Sequence, residues 1–199
     1  MDRRMYFDDL SARWDSFTDS AKVQGVLAEV LRAYRLRPDE HVLDLGCGTG
    51  NLTHVLCASL GTAAHITAVD LAPAMITTAQ GRLADPRVRW LVADAASLPL
   101  PGRSVDRVIC FSAWPHFPEP DRVAKELGRV LRTGGHLHLL HIDGKDKINA
   151  IHAGVGGAIG QDLLPPATDV GLLLRRAGYD VLEEVDTPDA YRVSGRWMA

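Results

Sequence analysis

A chain of 199 residues, 46% of them hydrophobic and 24% charged, is long enough for one domain with a full core and short for two. Its formal net charge of −3, with no run of lysine or arginine beyond a pair, lacks the electrostatic footprint of a nucleic-acid or acidic-membrane binder, which leaves small neutral or mixed-charge molecules as partners. No stretch approaches about 18 apolar residues and no apolar run follows Met1 to Met5, so the expectation is a cytoplasmic protein, neither secreted nor membrane-spanning, whose Cys47, Cys57 and Cys110 stay reduced and buried.

Residues 5 to 18 gather Tyr6, Phe7, Leu10, Trp14 and Phe17 ahead of an amphipathic helix over 20–35, in which Val23, Val26, Leu27, Val30, Leu31 and Tyr34 recur at helical spacing. Val42, Leu43 and Leu45 then make a short apolar run, as a strand buried on both faces would, and Leu52, Val55 and Leu56 mark a helix from Asn51 onward. Between them fall Gly46, Gly48 and Gly50. Glycine there removes side chains where a ligand must touch backbone, and the helix start offers N–H groups and a positive dipole end to an anion. One glycine turn is a weak signal. The next apolar run, Ile66 to Val69, ends in Asp70, 20 residues after Gly50, where a ribose-binding carboxylate belongs in a doubly wound sheet. A helix over 73–83 follows, and a third run, Val88 to Val92, leads to Asp94, Ala95 and Ala96. Three strands thus deliver chemistry to one edge.

Leu98 to Gly102 is too short and proline-rich for a crossover helix and reads as a loop before the fourth strand, 105–111, which ends at Phe111. Ser112 to Pro118, containing His116, is the next loop at that edge. A helix over 120–132 follows, stopped by Gly134-Gly135, and the fifth strand, His136 to Ile142, runs into Asp143. Residues 143–168 are the least regular: Lys145 to His152 reads as a short helix with Ile148, Ile151 and His152 on one face, and Gly154, Gly156, Gly157 and Gly160 suggest a mobile connection. A helix at 169–177, ended by Gly178, precedes strands at 180–186 and 190–197, which Thr187-Pro188-Asp189 joins as an antiparallel hairpin. The alternation predicts an α/β fold, a parallel sheet with helices on both faces.

Taken together, Asp44-Leu45-Gly46-Cys47-Gly48-Thr49-Gly50, then Asp70, then Asp94-Ala95 before Leu98-Pro99, and Leu127 to Gly135 resemble the class I S-adenosylmethionine-dependent methyltransferases, particularly their small-molecule branch. The resemblance implies a Rossmann-like, doubly wound seven-stranded sheet of order 3-2-1-4-5-7-6, formed by residues 1–199 as a single domain. It makes 1–38 an N-terminal helical cap whose Phe7, Trp14 and Phe17 fold over the cofactor, and 143–168 a substrate lid. It implies S-adenosylmethionine as cofactor and a small-molecule methyl acceptor.

The implied cofactor site has four parts. Asp44 takes the ammonium, and backbone of Gly46, Cys47, Gly48 and Gly50 meets the methionine moiety. Asp70 accepts from both ribose hydroxyls. Leu71 and Met75 flank adenine, with Asp94 accepting from its exocyclic amine and Ala95 N–H donating to its ring; Phe111 and Trp14 complete the lining. His116 and His141 each close a strand at the ligand edge, and an unperturbed pKa near 6.5 suits either as a base. His136 and His138 share a strand face but His141 has the opposite parity, so no metal is expected. Two alternatives remain. A nicotinamide-dependent oxidoreductase shares the turn and the ribose acid but would need a third glycine at Thr53, and a non-catalytic S-adenosylmethionine-binding protein would keep the fold without turnover.

Overall fold

Each apolar run becomes a strand of one sheet in the computed structural model, which describes residues 3–17 and 19–199, the side chains of Asp15 and Phe17 excepted. The expected role of Phe17 therefore lies outside the described residues. The strands are β1 (His41–Leu45), β2 (His65–Asp70), β3 (Val88–Val92), β4 (Val105–Phe111), β5 (Leu131–His141), β6 (Tyr179–Thr187) and β7 (Ala190–Trp197), in the order β3-β2-β1-β4-β5-β7-β6 that the resemblance implies. β1 to β5 are mutually parallel, and β7 lies antiparallel between β5 and β6. The order reverses between β1 and β4, so a crevice opens at the carboxyl ends of those strands, where ligands bind in open α/β sheets.

The helices are α1 (Arg3–Leu10), α2 (Ser20–Tyr34), α3 (Asn51–Ser59), α4 (Pro73–Arg82), α5 (Pro120–Val130), α6 (Lys145–Val155) and α7 (Ala167–Ala177). Strand periodicity sorts the core. Val42, Ile66, Ile109 and Leu140 pack with Leu27 and Leu31 of α2 and Leu52 and Leu56 of α3. Leu43, Leu45, Val108, Leu137 and Leu139 pack on the other face with Val123 and Leu127 of α5 and Val170 and Leu174 of α7. The same parity places the polar groups. Asp44 shares the face of Val42, toward α3; His138 shares that of Leu140, toward α2; His141 shares that of Leu137 and Leu139.

Three expectations are corrected. α5 stops at Val130, not at 132, because Leu131 is already extended and pairs with Val105 as the first residue of β5. Gly134 and Gly135 therefore belong to the strand, and of the two Gly135 is the crowded one: a Cβ there would lie 2.8 Å from the Arg132 carbonyl oxygen and 2.9 Å from that of Asp106. α6 runs on to Val155, and it turns Ile148 and His152 inward, one turn apart, while Ile151 is exposed. Cys57 is only half-buried, unlike Cys47 and Cys110, although all three thiols are free.

The glycine-rich stretch after α6 is tied down at several points. Gly160 N–H donates to the Gly156 carbonyl and Asp162 N–H to that of Ile159. Asn149 on α6 donates to the Leu164 carbonyl at 3.1 Å and accepts from Leu164 N–H at 2.7 Å. Ile159 and Leu164 are buried.

Candidate functional site

The turn after β1 is built from glycines in the left-handed region, with φ of 70° at Gly46, 52° at Gly48 and 91° at Gly50. A non-glycine residue held there costs roughly 1–2 kcal/mol. Gly46 has a second reason: a Cβ would lie 2.4 Å from Ala113 Cβ, so its absence lets the loop after β4 press against the turn. Gly48 is different, since nothing lies within 4 Å of where its Cβ would be. The N–H groups of the turn are committed within the protein. Gly46 and Cys47 donate to the Val69 carbonyl, Gly48 to Asp70 Oδ2 and Gly50 to the Cys47 carbonyl. These four donors are thus engaged inside the protein, and what the turn leaves open is backbone without a Cβ at Gly48. Cys47 turns its thiol into a cluster with Ala68 and Ile76, so it offers only main chain.

Asp44 is fully buried in β1. Thr53 of α3 donates its hydroxyl to Asp44 Oδ2 at 2.5 Å, and Asp44 Oδ1 has no partner among the described residues. Burial pushes this carboxyl up to about 7, with the neighbouring Asp70 charge adding to the rise. Leaving such an oxygen unsatisfied costs about 1–3 kcal/mol or more, which a cationic donor would recover. Asp70, closing β2, accepts from Ala72 N–H through Oδ1 and from Gly48 N–H through Oδ2, both at 2.9 Å, and keeps lone pairs beyond those bonds. Burial raises its pKa against the backbone bonds.

Ala93 N–H donates to the Asp70 carbonyl, which sets Asp94 beside Asp70, and Asp94 Oδ1 accepts from Ala96 N–H at 2.8 Å. Leu71 is 44% exposed, whereas Met75 on α4 and Ala95 are buried. Phe111 is half-buried against the α2–α3 layer.

α1 crosses this edge. Asp8 accepts from Ala74 N–H at 2.9 Å and so caps α4, and Phe7 sets its ring edge-on to both Trp14 and His116, with centroids 5.9 and 5.0 Å away. Arg3 forks onto Asp162, donating from Nε at 3.0 and 3.2 Å and from Nη2 at 2.5 Å. Asp162 Oδ2 in turn faces His116 Nδ1 at 2.9 Å, and its carbonyl faces His152 Nδ1 at 2.5 Å. The His116 and His152 rings are 4.9 Å apart. Burial lowers the pKa of His116 in spite of the Asp162 bond. His141, at the end of β5, is buried edge-on to Tyr191, and neither ring nitrogen has a partner among the described residues. Burial, with His116 and His152 nearby, takes it down to about 3.

Trp114, in the loop that carries His116, is core, 3% exposed and edge-on to Phe117. Sequence reasoning missed Arg3, Asp8, Thr53 and Asp162. Asp162 carried one signal, being the only acid between 147 and 168. A cleft of about 340 Å³ opens at the opposite, amino end of β1 to β3, beside His41, His65 and Arg87. Arg87 there is fully engaged by Asp85 and by the carbonyls of Cys57, Leu60 and Gly61, so it serves as a brace rather than as a free cation.

Residues 42–135 match the methyltransferase domain family. The chain is 31% identical over 137 residues to malonyl-[acyl-carrier protein] O-methyltransferase of Anoxybacillus flavithermus, an alignment covering 69% of this chain and 52% of that protein. The chain belongs to the class I S-adenosylmethionine-dependent methyltransferases. It spans about half the length of the curated relatives it matches. The methyltransferase fold is shared with an S-adenosylmethionine-dependent methyltransferase of Aquifex aeolicus, at a TM-score of 0.72 and 22% identity over 90% of this chain and 98% of that one. It is shared also with the Haloferax volcanii methyltransferase solved in complex with the Trm112 methyltransferase activator, at 0.79 and 17% over 100% and 99%.

The family's cofactor suits the methyltransferase site on chemical grounds. It carries an ammonium for a buried oxygen lacking a donor, a diol for a carboxylate with spare lone pairs, and a chain that needs backbone without Cβ, as at Gly48. Among the described residues no group of three or more histidine, cysteine or acidic side chains is arranged to hold a metal, and no helix is long and apolar enough to cross a membrane.

Proposed function

We propose that this protein transfers a methyl group from S-adenosylmethionine to a small-molecule acceptor. The observation that carries the reading is the partnerless Oδ1 of Asp44, buried beside a turn whose Gly48 is open and whose neighbour Asp70 faces the same edge. In this reading Asp44 receives the ammonium, and backbone from Gly46 to Gly50, Cys47 included, lies along the methionine chain. Asp70 takes the ribose diol. Leu71 and Met75 flank adenine, Asp94 and the Ala95 N–H read its edge, and Phe111 and Trp14 close the walls. Residues 1–38 act as a cap and 143–168 as a lid on a single domain, a role the Arg3–Asp162 fork supports by joining them.

The cofactor supplies a sulfonium methyl that is already electrophilic. What the protein adds is alignment, which is worth roughly 7–11 kcal/mol in well-oriented reactions. His116, with His141 second, is the group placed to take a proton from the acceptor, a contribution of about 10²- to 10⁴-fold where the acceptor carries one. A relative named for O-methylation of malonyl-[acyl-carrier protein] supports an acceptor of modest size at the reacting end.

Calorimetric titration with S-adenosylhomocysteine and NAD in parallel tests the reading. The expected result is binding of the first and none of the second, with Asp70→Ala weakening S-adenosylhomocysteine by about 2–4 kcal/mol for two lost charge-assisted hydrogen bonds. NAD bound as tightly, or parental affinity in Asp70→Ala, would remove the cofactor assignment.

A further inference from the structure

Asp162 reaches the site from the segment between α6 and α7, and its side chain is 1% exposed. Both carboxylate oxygens are used: Oδ1 and Oδ2 accept the Arg3 fork from α1, and Oδ2 also faces His116 Nδ1. We propose that Asp162 is the positioning residue of His116, holding its ring as the Nδ1–H tautomer so that Nε2 is kept as the proton acceptor for methyl transfer. This rests on the methyltransferase reading and deepens it, because it assigns the acceptor to molecules whose attacking atom carries a proton.

The tautomer follows from hydrogen-bond chemistry. An ionised carboxylate can only accept, so the proton between Asp162 and His116 sits on Nδ1, and a neutral ring then has its lone pair on Nε2. That nitrogen makes no hydrogen bond to any described residue. The carbonyl of the same Asp162 faces His152 Nδ1, and a carbonyl also only accepts. One residue thus sets two neighbouring imidazoles in the same tautomer, one through its side chain and one through its main chain. Asp162 cannot turn away, because Arg3 grips both of its carboxylate oxygens. The dyad is therefore complete only when cap and lid meet, and Phe7, edge-on to His116, covers the ring as they do.

The groups around His116 pull its basicity both ways. Asp162 raises its pKa; burial, His152 on α6 and Arg3 on α1 lower it, and lowering wins. His141 on β5 stays neutral beside it. His116 is then a neutral base at pH 7. As the acceptor atom bonds to the methyl carbon, the carbon–sulfur pair leaves with sulfur as a thioether, and the acceptor's proton passes to Nε2. Asp162 balances the imidazolium formed, as a buried carboxylate does for other catalytic histidines.

The test uses histidine labelled with ¹⁵N in the full chain and reads tautomer and pKa by long-range ¹H–¹⁵N correlation. Wild-type His116 is expected as Nδ1–H. Asp162→Asn should lower its pKa and mix the tautomers, while Arg3→Ala should raise its pKa and keep Nδ1–H, because that variant frees the full charge of Asp162. A clasp of purely structural importance would move both variants in one direction, and that result, or an Nε2–H ring in the wild type, overturns the proposal. Binding of S-adenosylhomocysteine is measured alongside in all three proteins. Its presence with a wrong tautomer sinks the dyad alone, and its absence from the wild type sinks the methyltransferase reading whatever the tautomer.

Discussion

His138 and His141 lie three residues apart on β5, each 4% exposed, and their opposite parity gives them opposite circumstances. His138 faces α2 and is satisfied at both nitrogens. Arg107 donates from Nη1 to Nε2 at 2.8 Å, so Nδ1–H donates to Ser194 Oγ, also at 2.8 Å. The chain continues both ways: Arg107 forks onto Glu40 at 2.7 and 2.9 Å, and Ser194 donates to Glu183, which Arg192 also holds. Tyr34 stacks on the imidazole at 3.7 Å. His141 faces the other layer with neither nitrogen partnered among the described residues. A buried imidazole in a closed network is architecture, tying the loop before β1 to β4, β5, β7 and β6. One left unsatisfied costs about 1–3 kcal/mol and persists where a ligand or proton gives it work.

The largest expected effect is at the centre of the closed network. Arg107→Met would leave Glu40 buried without its fork, and breaking such a pair from one side costs about 3–5 kcal/mol. The denaturant midpoint should fall accordingly while S-adenosylhomocysteine affinity holds, since the network lies away from the glycine turn. A loss under about 1 kcal/mol would mean that water reaches Glu40 and that the network is not closed.

Next in size is the direct comparison. His138→Leu strips partners from Arg107 Nη1 and Ser194 and should cost about 1–3 kcal/mol, whereas His141→Leu removes only an unsatisfied group and should lie within about 1 kcal/mol of the parent, of either sign. Equal losses in urea melts would erase the distinction between the two histidines.

The sheet was readable in the sequence because each strand carried its own signal: apolar runs of strand length, breakers between them, and an acid or glycine at the ligand end. Asp44, Asp70 and Asp94 were singled out for that reason. The end of α5 was misplaced because the Gly134-Gly135 pair reads as a helix stop, while what ends the helix is Leu131 pairing with Val105 across the sheet, a contact no local pattern encodes. The Arg3–Asp162–His116 grouping was invisible for the same reason. Its members are separated by 159 and 46 residues and are joined only when α1 and the segment after α6 meet over the sheet edge. The sequence showed that His138 and His141 face apart, but not which would be satisfied, because Glu40, Arg107 and Ser194 come from three other elements.

The smallest effect at neutral pH becomes measurable in acid. The unfolded chain takes up a proton at each histidine near pH 6.5, whereas folded His141 resists protonation down to about 3, through burial first and the neighbouring His116 and His152 second. The native state therefore binds fewer protons in that window, so the stability tied to His141 is fully present above about pH 6.5 and falls as pH drops toward 3, by at most about 1.4 kcal/mol per unit. His138, also held well below its ordinary value by burial, contributes in the same direction. His141→Leu abolishes its own contribution without opening the Glu40–Arg107–Ser194 network. Relative to the parent, it should gain about 1–2 kcal/mol between pH 7 and pH 5. His138→Leu should remain the less stable protein at both. Parallel stability curves for His141→Leu and the parent over that range would show that His141 is protonated in the native state, and so is neither buried neutral nor available as a second base.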